Sequence, residues 1–321
     1  MNWLRRLFAP AARSCPASPR RARPTLENLE SREVPAVTVG PILGGGAAAE
    51  YAVSAFSPFA LFLSSTTNTA SLSAGDPYAA VNASQVAVDG YGDVLAELPG
   101  NGLWRWKAGF GGVQQLTPVD AAFIGIAGNG NVVAEFQGAG VWRFEDATGG
   151  WRQLTPTDAS QVGIDAYGNV VGEFPGQGVW RFEDAQGWLQ LTPFDASSLA
   201  IAGNSNVVAE IPGQGVWRFE DAQGWLQLTP ADASQVSIDS KGDVAAAFRG
   251  YGVYRFEDAQ GWRQLTPVDA SQVSIADTGD VLAELPGAGV WLWRDSYGGW
   301  QRLSATDANS VALGSALPPA Y

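Results

Sequence analysis

The sequence predicts an all-β protein, a six-bladed β-propeller made of four-stranded repeats. One pattern of aromatic residues, glycine turns and a Pro-x-Asp or similar ending recurs six times between residues 83 and 307, with a period of about 37 residues. Each copy holds four short apolar stretches separated by turn residues, which is the content of one propeller blade. The 321-residue chain also contains 39 Gly and 13 Trp, a composition typical of tight turns between short strands that carry large aromatic side chains.

Three columns of residues define the repeat. The aromatic residues that open the third apolar stretch are spaced 38, 38, 37, 37 and 37 residues apart, at Trp104, Trp142, Trp180, Trp217, Tyr254 and Trp291. A second column contains Trp151, Trp188, Trp225, Trp262 and Trp300, with Val113 in the first repeat. The third column is an aspartate at Asp120, Asp158, Asp195, Asp232, Asp269 and Asp307. Such regularity predicts units that stack on one another to bury a shared core.

The fifth repeat illustrates the four predicted strands. They are strand a (QVSI), strand b (VAAAF), strand c (VYRFE) and strand d (WRQLT). Gly242 is expected to supply the positive φ of the a–b turn. Pro267 ends strand d because proline has no N–H to donate to a ladder. Asp269 is expected to accept backbone N–H groups in the connection to the next blade.

Two questions about the architecture stay open at this level. A linear β-solenoid is the other way to stack such units, although a propeller better suits four strands per repeat. The stretch Asn309–Gly314 repeats strand a once more and is predicted to act as a clasp that closes the ring. The first repeat already has its own strand a at Gln85–Asp89, so one strand has no assigned place.

Residues outside the repeats divide into three segments. Residues 1–36 are predicted to form a basic, proline-rich leader, and residues 37–82 an Ala/Ser/Thr/Gly-rich linker, for which partial packing on the propeller stays open. Residues 308–321 are predicted to hold a closing strand and a tail. In the linker, Tyr51–Leu63 is apolar but has only 13 residues, too few to span a bilayer, so it is expected to be linker or an extra strand. No transmembrane span is predicted.

The leader contains a short motif. Within Thr25–Ala36, Leu26, Glu27, Leu29, Glu30 and Arg32 resemble the L-E-x-L-E-x-R motif near the N-terminus of many large exported or surface proteins of certain bacteria. The resemblance covers about a dozen residues. It implies an extracellular or cell-surface location in a bacterium.

The repeats themselves resemble a known family. In the fifth unit the residues Gln235, Val236, Ser237, Ile238, Gly242, Val244, Gly252, Tyr254, Arg255, Gly261, Trp262, Gln264 and Leu265 match the tectonin repeat. The match recurs through all six units. Tectonin domains are six-bladed propellers, and several are lectins, so the resemblance implies the same fold and carbohydrate binding.

Composition excludes several classes of function. The chain has no His and one Cys, Cys15, which excludes histidine-based catalysis, His-ligated metals and an intrachain disulfide. Residues 1–40 carry seven Arg against three Glu, so the net charge of −13 leaves about −17 on the remainder. A surface this acidic repels phosphate backbones, and nucleic acid is not expected as a partner. No cofactor, metal or catalytic residue is predicted.

The predicted binding residues are a recurring Trp/Gln/Arg set. Sugar sites combine an aromatic platform with amide or charged groups for hydroxyls. The candidates are Trp151, Gln153, Trp188, Gln190, Trp225, Gln227, Trp262, Gln264, Trp300, Arg143, Arg181, Arg218 and Arg255. The competing interpretation is that the tryptophans are core, and that the arginines pair with Glu145, Glu183, Glu220 and Glu257 of neighbouring blades.

The sequence therefore supports two functions. The first is an exported, non-catalytic, lectin-like propeller with several weak, equivalent glycan sites that act together. The second is a structural or protein-binding propeller at the cell surface. An enzyme is not expected, since no repeat carries a unique acidic constellation. The D-x-x-G-D/N turns at Asp89, Asp165 and Asp239 are predicted to be hairpin turns rather than calcium loops, which need six or more oxygen ligands.

Overall fold

A computed structural model describes residues 60–63, 83–107, 112–305 and 307–313. These residues form 26 β-strands and no helix. Twenty-four of the strands make six four-stranded antiparallel sheets, each in the order a-b-c-d along the chain. The prediction of an all-β, six-bladed propeller is confirmed.

The strands follow the repeat closely. A short strand β1 (Ala60–Leu63) precedes the blades, and β26 (Ser310–Leu313) follows them. Blades one to three contain β2 (Gln85–Val88), β3 (Val94–Leu98), β4 (Gly102–Lys107), β5 (Gly112–Thr117), β6 (Phe123–Ile126), β7 (Val132–Phe136), β8 (Gly140–Glu145), β9 (Gly150–Thr155), β10 (Gln161–Ile164), β11 (Val170–Phe174), β12 (Gly178–Glu183) and β13 (Gly187–Thr192). Blades four to six contain β14 (Ser198–Ile201), β15 (Val207–Ile211), β16 (Gly215–Glu220), β17 (Gly224–Thr229), β18 (Gln235–Ile238), β19 (Val244–Phe248), β20 (Gly252–Glu257), β21 (Gly261–Thr266), β22 (Gln272–Ile275), β23 (Val281–Leu285), β24 (Gly289–Arg294) and β25 (Gly299–Ser304).

The b–c turn shows why the glycine and aspartate columns recur. Gly252 has φ of 89°, and a Cβ there would lie 2.1 Å from the carbonyl oxygen of Thr266 on strand d. Only glycine allows this close approach. The Asp269 carboxylate accepts the N–H of Gly250 at 2.8 Å, so it holds the b–c turn of its own blade. The prediction that it caps the connection to the next blade had the wrong partner, because the carboxylate reaches back to the adjacent turn on the same face. The equivalent aspartates of the other five blades do the same.

Blades stack around a central axis with strand a innermost. From blade one to blade six, strand a of each blade lies against strand a of the next. Because strands a to d alternate in direction, the a–b and c–d turns lie on one face of the ring, here called the a–b face. The b–c turns and the d-to-a connections lie on the other, the b–c face. Strand b is buried on both sides in blades two to six, since each blade is packed between two neighbours.

A two-stranded sheet closes the ring between blades six and one. Strand β26 lies against β22 of blade six and β2 of blade one, in the place of a further innermost strand. It pairs antiparallel with β1, from Ala60 opposite Leu313 to Leu63 opposite Ser310. Within the stretches predicted as a clasp (Asn309–Gly314) and as linker or an extra strand (Tyr51–Leu63), Ser310–Leu313 and Ala60–Leu63 form these two strands. The strand without an assigned place thus pairs with residues from before the repeats. The leader and most of the linker lie outside the described residues.

Side-chain hydrogen bonds join the innermost strands. The N–H of Val236 in blade five donates to Ser198 Oγ of blade four at 3.0 Å. The N–H of Leu313 donates to Ser274 Oγ of blade six at 3.1 Å, and the N–H of Val86 donates to Ser310 Oγ at 3.2 Å. Strand β26 is therefore bonded to both its neighbours in the manner of a blade's own strand a.

Candidate functional site

The strand-d tryptophans lie at the joints between blades. The indole N–H of Trp188 donates to the carbonyl oxygen of Leu154 in the preceding blade at 3.1 Å. Its ring packs edge-on against Phe174 and Phe182, with centroids 5.2 and 5.4 Å away. The same bond to the preceding blade is made by Trp151, Trp225, Trp262 and Trp300. Each ring is partly buried, so its polar atom and much of its surface serve blade stacking.

The predicted glutamines are bonded within their own blades. The amide of Gln190 donates to the carbonyl oxygen of Gln177 in the b–c turn at 2.8 Å. The indole of Trp180 donates to that same oxygen at 3.0 Å, so strands c and d both hold the turn. Gln153, Gln227 and Gln264 make the equivalent bond. The glutamines and strand-d tryptophans are thus near one another, but their donors point to backbone.

The arginine column forms buried ties between blades. Arg218 is 3% exposed; its Nη1 donates to the carbonyl oxygen of Gly242 in the next blade's a–b turn at 2.7 Å. Its Nη2 lies 2.9 Å from the carboxylate of Asp258, in the next blade's c–d turn. Arg143, Arg181 and Arg255 make equivalent contacts. These charge-assisted bonds bring three elements of two blades together on the a–b face.

The interpretation of the glutamates that follow the arginines was wrong in one respect. Glu220 pairs with Arg218 of its own strand, at 2.8 Å, and Glu145, Glu183 and Glu257 behave likewise. The acidic residue that crosses the joint is the next one along the chain, in the following blade. The reason is geometric: residues two apart on a strand share a face, whereas the c–d turn reaches over to the neighbour.

Departures from the repeat at its two ends follow from ring closure. Leu292 replaces arginine in blade six, where the next sheet is the short β1–β26 pair. It is buried with Leu282, Val290 and Leu313. Val113 replaces tryptophan in blade one and is 45% exposed, because the described residues place no strand d before that blade. Apolar packing therefore replaces the polar tie at the arginine position of blade six.

Buried carboxyl groups line the inside of the b–c face. One position of strand b holds a glutamate in five blades, and each of these side chains is 2% exposed: Glu97, Glu135, Glu173, Glu210 and Glu284. Burial, with a nearby aspartate carboxylate, raises the pKa of Glu97, Glu135 and Glu173 to about 7. The pKa values of Glu210 and Glu284 are raised by the same causes. Ser84, Ser160, Ser197 and Ser271 donate their hydroxyls to the glutamates of their blades.

The a–b turns hold a second set of buried carboxyls and carry exposed tyrosines. Asp89 Oδ1 accepts the N–H groups of Tyr91 and Asp93, both at 2.9 Å, which is the bonding of a tight turn. Burial raises the pKa of Asp89 and of Asp239 to about 6. The side chains of Tyr91 and Tyr167 are 58% and 73% exposed on this face. Among the described residues, no cluster of three or more acidic, His or Cys side chains is arranged to hold a metal.

Two clefts open on the b–c face. One, of about 170 Å³, lies between blades two and three and is lined by Thr155, Thr157, Phe174, Gln177, Trp180 and Trp188. The other, of about 330 Å³, lies at the junction of blades five and six. Of the predicted binding residues, only Trp188 lines the first cleft. The arginines lie buried at the other face. In the part of the chain that the structure describes, no helix is long and apolar enough to cross a membrane.

Comparison with known proteins supports the fold. No protein-family model matches the chain, and no curated protein matches it significantly. The solved structure of U3-55K matches 73% of this chain and 86% of its own with a TM-score of 0.56 at 10% identity. The Cps50 (Swd1) propeller of Myceliophteria thermophila matches 74% of this chain and 89% of its own, with a TM-score of 0.54 at 9% identity. A chain of the Mitotic Checkpoint Complex matches 89% of this chain and 93% of its own, with a TM-score of 0.55 at 13% identity. At such identities the likeness shows the propeller fold alone.

Sequence reasoning missed two features of these surfaces. The aspartates at Asp146, Asp184, Asp221, Asp258 and Asp295, which bind the arginines across the joints, recur in the sequence as fully as the arginines do. Their regular spacing was a usable signal. The larger cleft coincides with a break in the repeat, Ala247 in place of glutamate, which column-by-column comparison also reveals.

Proposed function

We propose that this protein is a non-catalytic interaction propeller that binds another protein through its a–b face. The observation that carries the proposal is the use of the Trp/Gln/Arg set within the fold. Indole, amide and guanidinium donors of that set bond to backbone or carboxylate groups of the same ring. The exposed residues of the a–b face, by contrast, include large aromatic side chains.

Tyrosine favours protein interfaces because it provides a large, rigid contact area together with a polar tip. Tyr91, Tyr167 and Tyr297 lie in turns of the a–b face, and each is more than half exposed. The chain's net charge of −13 favours a partner with a basic surface, since complementary charge speeds association and selects partners. The absence of histidine and the structural roles of the recurring carboxylates support a non-catalytic role.

Export to the bacterial cell surface is part of the proposal. It rests on the resemblance of the Leu26–Arg32 segment to the motif of exported proteins. That segment lies outside the described residues. The tectonin resemblance likewise stays a prediction about ancestry and ligand.

Carbohydrate binding is the second candidate function. The cleft between blades two and three favours it, because Trp180, Trp188 and Gln177 line an opening of about 170 Å³ on the b–c face. An aromatic platform beside an amide suits one sugar ring. Repetition of such joints around the ring is the geometry that would make weak sites effective together.

A paired experiment separates the two functions. The full chain, a Tyr91→Ser/Tyr167→Ser double variant and a Trp188→Ala variant are each applied to a glycan array and used to capture proteins from a bacterial surface extract. Protein binding through the a–b face predicts a captured protein that the double variant loses while Trp188→Ala retains it, and a pattern of array binding that Trp188→Ala does not change. Array binding that Trp188→Ala weakens, with capture unaffected by the tyrosine changes, would overturn the proposal in favour of the lectin.

A further inference from the structure

Blade five departs from the other blades at one place on the b–c face. Strand b ends in Glu-x in the other five blades, but Ala247 takes the glutamate's position here. Two residues later, Arg249 stands at the first position of the b–c turn, where four blades have proline and blade two has Gln137. The two changes remove a buried carboxyl group and add an exposed positive charge.

The space left by the missing carboxyl is open. In four of the other five blades the glutamate lies beside a serine hydroxyl and the aspartate that caps the b–c turn, as Glu173 does beside Ser160 and Asp195. Blade two has Ala122 at the serine position. In blade five the equivalent residues are Ser234 and Asp269. Both line the larger cleft, of about 330 Å³, and the Ser234 hydroxyl donates to the carbonyl oxygen of Ala247 instead.

Two polar side chains of this cleft have no partner among the described residues. Within the described part of the chain, neither Arg249 nor Gln235 makes a side-chain hydrogen bond or an ion pair. The glutamines that match Gln235 in other blades are bonded across the joint. Gln161, for example, accepts the N–H of Leu199 at 2.9 Å. The cleft therefore offers a free guanidinium and a free amide beside a carboxylate and two serine hydroxyls.

We propose that this cleft, here called the blade-five pocket, binds a small carboxylate that also carries hydroxyl groups, that is, a molecule of the sugar-acid class. Arg249 pairs with the ligand's carboxylate, since guanidinium matches that group in charge and geometry. Gln235 and Asp269 bond its hydroxyls, and Phe248 contributes the apolar wall. The volume lies at the low end of the range of about 300–1,000 Å³ found for small-molecule sites.

The blade-five pocket is independent of the proposed function. It lies on the b–c face, whereas Tyr91 and Tyr167 lie on the a–b face. It also contains none of the strand-d tryptophans. Failure of the pocket would leave the protein-binding proposal standing, and the reverse also holds.

The test is titration of the full chain with glucuronate, with neutral glucose as the control ligand, followed by calorimetry and ligand-observed NMR. Glucuronate is expected to bind with one site per chain, and at least about tenfold more tightly than glucose, because one charge-assisted pair is lost with the neutral sugar. The Ala247→Glu variant fills the pocket with the side chain that five blades already carry, so it should fold and lose binding. Arg249→Gln uses the blade-two residue and should weaken binding at least about tenfold.

Lys241→Gln is the matched control. It removes the same charge from the same blade, but from the a–b turn on the opposite face, and it should leave glucuronate affinity unchanged. The proposal fails if glucuronate does not bind, if glucose binds equally well, or if Ala247→Glu binds as the natural chain does. Equal losses in Lys241→Gln and Arg249→Gln would mean a general charge effect and would also overturn it.

Discussion

The stability of this propeller should rise as the pH falls from about 8 to about 5, because of the buried glutamates of strand b. The chain has no histidine, so raised-pKa carboxyl groups are the side chains of the described ring that titrate in this window. Burial raises the pKa of Glu173 from its usual 4.5 to about 7. A raised pKa means that the folded chain holds a proton that the unfolded chain releases.

The sign and size follow from proton linkage. The protonated Glu173 contributes fully to the free energy of unfolding below the unfolded pKa of 4.5, and this contribution is lost as the pH rises through the folded pKa of about 7. The difference of about 2.5 pH units corresponds to about 3 kcal/mol for one glutamate, at about 1.4 kcal/mol per unit. Glu97, Glu135 and Glu173 together hold about three such protons near pH 6, a slope of about 4 kcal/mol per pH unit.

Urea denaturation followed by tryptophan fluorescence, at several pH values from about 5 to about 8, measures this slope. Glu173→Gln is neutral at every pH and can still accept the Ser160 hydroxyl. Its free energy of unfolding should therefore depend less steeply on pH, by an amount that corresponds to about one proton fewer released on unfolding. Ala247→Glu places a carboxyl beside Ser234 and Asp269. Its free energy of unfolding should depend more steeply on pH, by an amount that corresponds to about one more proton released on unfolding. The two variants are matched, since each changes one carboxyl at the same position of strand b.

Two results would refute the reasoning. One is a free energy of unfolding that rises with pH over this window, or does not change. The other is a slope that stays the same in both variants, which would mean that the strand-b glutamates are ionised in the folded protein. In either case the buried carboxyls would have to be stabilised as charged groups.

Three further predictions concern the joints of the ring. Trp188→Ala should lower the free energy of unfolding by about 3 kcal/mol through lost packing, and a change below about 0.5 kcal/mol would contradict its place in the joint. Arg218→Leu copies the natural Leu292 of blade six. Urea denaturation should show a loss of at least about 2 kcal/mol in its free energy of unfolding, because the change leaves a buried backbone carbonyl unpaired. No loss would mean that apolar packing serves any joint equally well. Deleting residues 309–321 should lower the midpoint of thermal unfolding sharply, because it exposes the apolar faces that β26 covers. Deleting residues 314–321 alone should not. Equal midpoints for the two deletions would contradict the role of β26 in closing the ring.

Much of the fold was predictable because a propeller blade is a local structure. Strands a to d of the fifth repeat agree with the observed β18 to β21 to within one residue. The turn glycines were predictable for the same reason, since each is required by a turn of only a few residues. The N–H that Asp269 accepts was not, because the aspartate reaches back to Gly250 in the b–c turn of its own blade rather than to the connection beside it. Repetition then gave the number of four-stranded blades.

Tertiary structure decided what happens between units. The pairing of Ala60–Leu63 with Ser310–Leu313 joins residues about 250 positions apart, and four apolar residues carry too little pattern to reveal a strand partner. The burial of Glu173 was equally hidden, because side chains alternate between the two faces of a strand. A charged residue on the face opposite Gly172 suggests that its own face is exposed to solvent. Stacking buries both faces of that strand, so the sequence by itself determined each blade, and only the closed ring decided which polar groups face water, which tie blades together and where a pocket opens.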